Sequence, residues 1–315
     1  MTLHLVTGGA GFIGSHIAER LLREGNRVRV LDNLATGRRE NLEPLRAAGG
    51  DRFEWVEGDI RDLDTCRRAC EGAAFVYHQA ALASVQRSIE RPADTTAVNV
   101  LGTVNVLTAA REAGVRRVVS ASSSSVYGDT PTLPKHERME TSPRSPYAAS
   151  KLAAESFARV ASLTLGLETV SLRYFNVFGP RQDPHSQYAA VIPLFIGALL
   201  EGKRPVVFGD GQQSRDFTYI DNVVDANLRA ASCADGSGEA VNVACGERYS
   251  LLTLLDTLGR IVGRSANPVF QPPRAGDVLH SQASTEKAER MLGFRPGVGF
   301  EDGLRRTVEH FRSGR

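Results

Sequence analysis

Cysteine is scarce in this chain of 315 residues, and the four present are Cys66, Cys70, Cys233 and Cys245. Cys66 and Cys70 share one helical face, but no second close pair completes a metal-binding spacing, so no metal site is expected. Four unpaired thiols read as core residues of a protein in a reducing, cytoplasmic setting. Long apolar runs are missing as well, and none approaches the ~20 residues that a membrane span requires. Met1-Thr-Leu-His-Leu-Val leads straight into a strand pattern, without the basic and then apolar regions of an export signal. Excess charge of either sign is lacking: 38 basic and 36 acidic residues leave a formal net charge of +2. With no basic run interleaved with aromatics, neither nucleic acid nor an anionic membrane is an expected partner. Lysine is nearly absent, at Lys135, Lys151, Lys203 and Lys287 only, so a lysine beside a chemically useful group carries information. No internal repeat or low-complexity linker breaks the chain. Its length suits one large α/β unit or two unequal domains.

What is present begins with a short apolar strand, Leu3 to Val6, followed by Thr7-Gly-Gly-Ala-Gly-Phe-Ile-Gly14 and a helical pattern through Leu22. Glycines at 8, 11 and 14 permit a tight turn, close approach of backbone to a pyrophosphate, and close packing of helix on strand. The helix beyond them offers unpaired N–H groups to an anion. A second strand, Arg27 to Leu31, ends at Asp32, where a carboxylate accepts from ribose hydroxyls and repels a 2′-phosphate. That favours NAD over NADP. Gly58-Asp59-Ile60 follows a third strand where an adenine could be bounded, although Asp59 could equally cap the helix starting near Leu63. Phe75-Val-Tyr-His-Gln-Ala-Ala81 reads as a central parallel strand, apolar through its middle. Helical pattern spans Thr95 to Ala113. The strand Arg117 to Ser120 then runs into Ala121-Ser-Ser-Ser-Ser-Val-Tyr-Gly128, at the carboxyl end where α/β sheets bind ligands.

The centre of the reading is Ser145-Pro-Tyr-Ala-Ala-Ser-Lys151. Ser145 suits a helix N-cap and Pro146 the first helical position. Tyr147 and Lys151 then lie one turn apart on one face. An ammonium beside a phenol favours the phenolate, which makes Tyr147 a candidate general base for a sugar or alcohol hydroxyl. A sixth strand, Glu168 to Tyr174, leads to Phe175-Asn-Val-Phe-Gly-Pro-Arg181. Beyond it the strand–helix alternation loosens into a smaller, ligand-covering region. There the pattern predicts a helix through Leu200, strands at Pro205–Phe208, Arg215–Ile220 and Val241–Ala244, and a helix from about Val223 to Ser232. Helices at Leu251–Val262, Thr285–Leu292 and Glu301–Phe311 complete the expectation.

Taken together and in order, these motifs resemble the extended short-chain dehydrogenase/reductase superfamily, and within it the nucleotide-sugar 4-epimerases. The resemblance covers nearly the whole chain. It implies a Rossmann-type doubly wound parallel sheet with a smaller α/β C-terminal domain for the nucleotide sugar. Residues 1–175 would bind NAD, with the chain returning to that unit at about 216–245, and 176–315 would mainly bind substrate. Carried over by position, Gly8, Gly11, Phe12, Ile13, Asp32, Asn33, Asp59, Ile60, Ala80, Ala81, Asn99, Tyr147, Lys151 and Phe175 would line NAD. Ser123, Tyr147 and Lys151 would be catalytic: Ser123 bonding the sugar O4, Tyr147 removing its proton, Lys151 holding the nicotinamide ribose. Ser84, Ser123, Ser124, Ser125, Tyr147, Asn176, Ala190, Val191, Val206 and Phe208 would contact the sugar nucleotide. Arg215 and Arg274 would clamp its diphosphate, for which a planar guanidinium fork is suited, with Asp277 and Ser281 nearby. No metal is implied.

Departures from neighbouring activities narrow the expectation. Dehydratases of the superfamily place an acidic pair where Ser124 and Ser125 stand, and UDP-glucuronate decarboxylases carry Glu at Ser125. UDP-glucuronate 4-epimerases usually show Thr at Asn176. What remains is C4 epimerisation of a UDP-hexose through a transient 4-keto sugar. Small Ser281, at a position that is bulky in glucose-only relatives, points to N-acetyl sugars as well, and Ala83-Ser84 points the same way. The alternatives are action on another nucleotide sugar, such as UDP-glucuronate, or a non-catalytic NAD or nucleotide sensor. A homodimer packed through helices near Thr95–Ala113 and Tyr147–Leu165 is the expected assembly.

Overall fold

The computed structural model describes residues 1–184, 190–273 and 279–314, so Arg274 and Asp277 lie outside the described residues. Its centre is a seven-stranded sheet in which every neighbouring pair is parallel. The strands are β1 (Leu3–Thr7), β2 (Arg27–Asp32), β3 (Phe53–Glu57), β4 (Phe75–His78), β5 (Arg117–Ser123), β6 (Glu168–Tyr174) and a seventh, Glu239–Val243. From one edge the order is β3-β2-β1-β4-β5-β6 and then Glu239–Val243, a doubly wound Rossmann-type arrangement. Strand order reverses between β1 and β4, which opens a crevice at their carboxyl ends.

Both faces of the sheet are covered, which is why its strands are apolar throughout rather than alternating. Successive side chains still point to opposite faces. Val6, Val30 and Val119 join one core with Ile17, Leu21, Val223 and Ala230, from the helices Phe12–Arg23 and Ile220–Ser232. Leu5, Leu31 and Val118 join the other with Cys66, Cys70, Val106 and Ala158, from Leu63–Cys70, Gly102–Glu112 and Pro146–Thr164. Cys66 and Cys70 are thus core thiols, each pushed up to about 12 by burial.

The sheet draws on residues well past 175, since Glu239–Val243 pairs along β6 from Glu239 opposite Val170 to Val243 opposite Tyr174. The chain outside the sheet and its flanking helices packs on the same core, through Ile192, Leu254 and Leu304 among others. It includes short paired strands, Val206–Phe208 with Val269–Gln271 and Ser214–Arg215 with Tyr249–Ser250, and the helices Val191–Leu200, Leu251–Val262 and Phe300–Arg312.

Three expectations are corrected. The expected strand Arg215–Ile220 is two pieces, Ser214–Arg215 and Thr218–Tyr219, because buried Asp216 and Phe217 turn to other partners, and the helix already begins at Ile220. The helix across Thr95–Ala113 is interrupted by a π turn over Ala97–Leu101, between Pro92–Thr96 and Gly102–Glu112. The cap of Leu63–Cys70 is Asp62, which accepts from the Asp64 N–H at 3.1 Å, and not Asp59.

Candidate active site

A cleft of about 400 Å³ opens at the carboxyl edge of the sheet. Gly8, Gly11, Phe12, Ile13, Asp32, Asn33, Asp59, Ile60, Ala80, Ala81, Tyr147 and Lys151 all line it. The glycines are required by space. Gly8 has φ +69°, and a Cβ on it would lie 2.7 Å from the Ala80 nitrogen. A Cβ on Gly14 would lie 2.2 Å from the Gly8 oxygen, so the first helix can approach the turn only without a side chain there. Asp32, at the end of β2, accepts from the N–H groups of Ala10 (2.9 Å) and Leu34 (2.8 Å). Burial raises its carboxyl above the ordinary range, and these two bonds oppose the rise. Asn33 donates to Asp59 at 2.9 Å, while Arg61 holds the Asp59 carboxyl below its usual range. Backbone N–H groups, a glycine cradle and a buried acid at the end of β2 together fit a dinucleotide.

Two expected cofactor residues are not among those lining the cleft. Asn99 is buried in the π turn, where its amide bonds the backbone of Leu82 and donates to Ser150 Oγ at 3.0 Å. Ser150 in turn donates to the Tyr147 carbonyl at 2.7 Å. Asn99 therefore braces the helix that carries Tyr147. Phe175 is fully buried beside the Tyr127 ring, with centroids 6.2 Å apart. Thr36, Gly37, Tyr174 and Gln182 line the cleft without having been anticipated. Only Gly37 carried a readable signal, as a glycine in the loop after Asp32. A Cβ on it would meet the Asp32 carboxylate at 2.8 Å.

Ser145 accepts from the Ala148 N–H at 3.1 Å, with Pro146 in the first turn, so the helix begins where its cap demands. Tyr147 is thereby placed beside β5. Its hydroxyl hydrogen-bonds Ser123, whose Oγ accepts from Ser125 N (3.2 Å) and Ser125 Oγ (2.9 Å). Lys151 is buried and donates to the Ala121 carbonyl at 2.9 Å. The expected lowering of the phenol is not found in the chain alone: burial raises Tyr147, with the Ser123 bond opposing. Burial likewise brings Lys151 down to about 8. The physical reason is burial of the phenol, and the ammonium meanwhile donates to a β5 carbonyl.

Beneath this group lies a network the sequence did not announce. Ser122 donates to Glu155 at 2.9 Å, Glu155 pairs with Arg173 of β6, and Arg173 donates to the Tyr127 hydroxyl at 2.9 Å. His78 bridges Thr7 (2.7 Å) and Thr103 (2.9 Å). Since Thr103 gives its proton to the Asn99 carbonyl, it must accept from His78 Nε2–H, leaving Nδ1 to accept from Thr7. Burial and then Lys151 lower His78 to about 3, so it stays neutral and structural.

The residues expected on the substrate side fall into three groups. Asn176, Ser281 and Arg215 converge. The Asn176 amide donates to Ser281 Oγ and to the Asp216 carbonyl, both at 3.2 Å, and Ser281 N–H donates to the carbonyl of Ser214, next to Arg215. Ser124 and Ser125 follow Ser123 in a 3-10 turn, and Ser84 caps the helix Val85–Glu90 by accepting from Arg87. Ala190 borders the cleft at the start of the helix that begins with Val191, whereas Val206 and Phe208 sit on the separate two-stranded sheet with Val269–Gln271. No group of three or more metal-binding side chains occurs among the described residues, and none of the described helices is long and apolar enough to cross a membrane.

A glycine cradle facing a Ser–Tyr–Lys group across the switch point of a parallel sheet defines an extended short-chain dehydrogenase-type, NAD-dependent enzyme. The profile described as NAD dependent epimerase/dehydratase family matches residues 4–244, and the chain belongs to that family. It is 43% identical to the UDP-glucose 4-epimerase of Mycolicibacterium smegmatis over 98% of each chain. Among solved structures, a UDP-N-acetylglucosamine 4-epimerase from Methanobrevibacter ruminantium, in complex with UDP-N-acetylmuramic acid, superposes with a TM-score of 0.94 at 37% identity, covering 100% of this chain and 99% of that one. The UDP-glucose 4-epimerase of Thermus thermophilus complexed with NAD gives 0.88 at 39% identity over 100% of both chains.

Proposed function

We propose that this protein interconverts UDP-hexoses epimeric at C4, both UDP-glucose with UDP-galactose and their 2-acetamido counterparts. The observation that carries the reading is that Tyr147, hydrogen-bonded to Ser123, and Lys151 line the cleft that also holds the glycine cradle. NAD supplies the hydride acceptor and donor for the sugar carbon. Ser123 hydrogen-bonds O4 and Tyr147 takes its proton. Lys151 supplies the positive charge that favours the phenolate. Arg215, Arg274 and Asp277 would hold the diphosphate side, and Ser84, Ser124 and Ser125 the sugar side. Ala190, Val191, Val206 and Phe208 would line the nucleoside. Acceptance of the acetamido sugars is supported by small Ser281 in contact with Asn176, where a tyrosine would fill the space. The relatives from Mycolicibacterium and Methanobrevibacter, acting by name on glucose and on N-acetylglucosamine nucleotides, agree with both halves of this reading.

A homodimer belongs to the proposal. Leu101, Phe157, Val160 and Leu163 are large apolar side chains at least 46% exposed, on and beside the helices Gly102–Glu112 and Pro146–Thr164. A second copy would cover them.

The test gives purified protein UDP-glucose and UDP-N-acetylglucosamine in parallel and follows the sugar H1 and H4 signals by NMR. Conversion of both to galacto forms is expected, and Ser281→Tyr should abolish only the acetamido reaction. Conversion of neither, with NAD added, would refute the reading. Equal loss on both substrates in Ser281→Tyr would refute the size gate.

A further inference from the structure

Asp216 has no part in the chemistry described so far, yet it is 0% exposed. Among the described residues no cation pairs with it. Instead its carboxylate collects backbone donors: Cys245 N–H at 2.9 Å, Gly246 N–H at 3.0 Å and Ala283 N–H at 3.2 Å. These come from two segments remote in sequence, the turn after Glu239–Val243 and the run that contains Ser281. The Asp216 carbonyl meanwhile accepts from the Asn176 amide at 3.2 Å. Burial raises the carboxyl to about 7 against the pull of those three N–H groups, and Glu247 adds to the rise. A carboxylate kept in so unfavourable a place is held there by what it organises.

The Asp216 carboxylate fixes the Ala283 N–H, two residues from Ser281, and its backbone carbonyl holds Asn176, whose other partner is Ser281. Asn176 sits at φ +29°, a backbone conformation uncommon outside glycine, which needs surrounding contacts to persist. Its two amide hydrogens go to the Asp216 carbonyl and to Ser281 Oγ. With both donors spent, the side chain can offer a ligand only its oxygen, an acceptor.

We propose that Asp216 is a positioning residue for hexose recognition, clasping three chain segments so that Asn176 presents a fixed acceptor to a hydroxyl or amide N–H of the sugar. This rests on the reading that Asn176 and Ser281 face the hexose. Asn in place of Asp216 keeps the shape but turns an amide NH₂ toward backbone donors, so the clasp loosens without leaving a cavity.

The experiment is a double-mutant cycle on the NAD-loaded enzyme with UDP-glucose, comparing Asp216→Asn in the parent and in Asn176→Ala. In the parent the substitution should raise KM about 10-fold, as expected for a lost hydrogen bond to a charged group, while kcat and retained NAD change little. In Asn176→Ala the same substitution should change KM less than about 2-fold, because the group it acts through is gone. Additive effects on KM would overturn the proposal, and so would a loss confined to kcat. Should Asp216→Asn fail to retain NAD, the cycle is run with Asp216→Glu, which keeps the charge and moves it by one methylene. A parent that turns over neither UDP-glucose nor UDP-N-acetylglucosamine defeats the functional reading and this proposal together. An active parent with additive effects defeats this proposal alone.

Discussion

Replacing Glu155 by Ala should destabilise the protein far more than loss of an ordinary ion pair. Glu155 lies one turn beyond Lys151 on the same helix and pairs with Arg173, the two side chains being 12% and 5% exposed. Arg173 Nε donates to it at 3.0 Å, and Ser122, next to Ser123, donates at 2.9 Å. Without Glu155 the guanidinium stays buried, with the Tyr127 hydroxyl at 2.9 Å and the Tyr127 ring centroid at 4.8 Å as its remaining partners in this network. Removing one partner of a buried ion pair costs ~3–5 kcal/mol, and the Tyr127 contacts place the expected loss near the lower end. At ~2.1 cal/mol/K of unfolding entropy per residue, a chain of 315 residues shifts by about 1.5 °C per kcal/mol, so the expected fall in Tm is roughly 5 °C. The assay is urea or thermal unfolding at equally saturating NAD, since bound cofactor itself adds stability. The control is Glu289→Ala, which removes an exposed pair with Arg295 and should cost at most about 1 kcal/mol. Equal losses from the two substitutions would refute the argument that burial sets the difference.

Three further outcomes follow from the site. Gly8→Ala should abolish NAD retention, read by the absorbance of cofactor released on denaturation, because its Cβ would meet the Ala80 backbone at 2.7 Å and φ is +69°. Full retention would refute the cradle. Lys151 is brought down to about 8, so its charge is present below that pH and lost above it. Turnover should therefore decline as pH rises through about 8, and Lys151→Arg, charged throughout, should move that decline upward if any activity remains. An unchanged descending limb would assign it to another group. Leu163→Asp puts a charge on a side chain that is 71% exposed and should yield monomers by sedimentation without loss of bound NAD. A dimer persisting at micromolar concentration would show that another face pairs.

The parts of the fold that the sequence disclosed are those governed by local rules. β6 and the helix Leu251–Val262 have the bounds their apolar pattern predicts, and Ser145-Pro146 starts its helix as capping chemistry requires. The cofactor side was legible because a glycine cradle has few sequence solutions. What escaped depends on partners far away in the chain. Asp216 breaks its strand in order to reach Cys245, Gly246 and Ala283. Asn99, within the π turn, gives its amide to Leu82 and Ser150, partners 17 and 51 residues away. The direction of the tyrosine pKa escaped for a related reason, since spacing puts Lys151 on the right face but cannot say how deeply the tertiary packing buries the phenol.

The seventh strand has a consequence for how the molecule is made. A growing chain that has emerged only as far as Tyr174 has six strands, and β6 is then an open edge with unpaired N–H and C=O groups. The segment that closes this edge, Glu239–Val243, is not synthesised until some 65 residues later, about 3–13 s at ~5–20 residues per second. During that interval the nascent sheet offers a template to any extended segment nearby. Chaperone dependence should therefore concentrate in this window, and chains truncated between 175 and 238 should aggregate rather than accumulate as a free dinucleotide-binding unit.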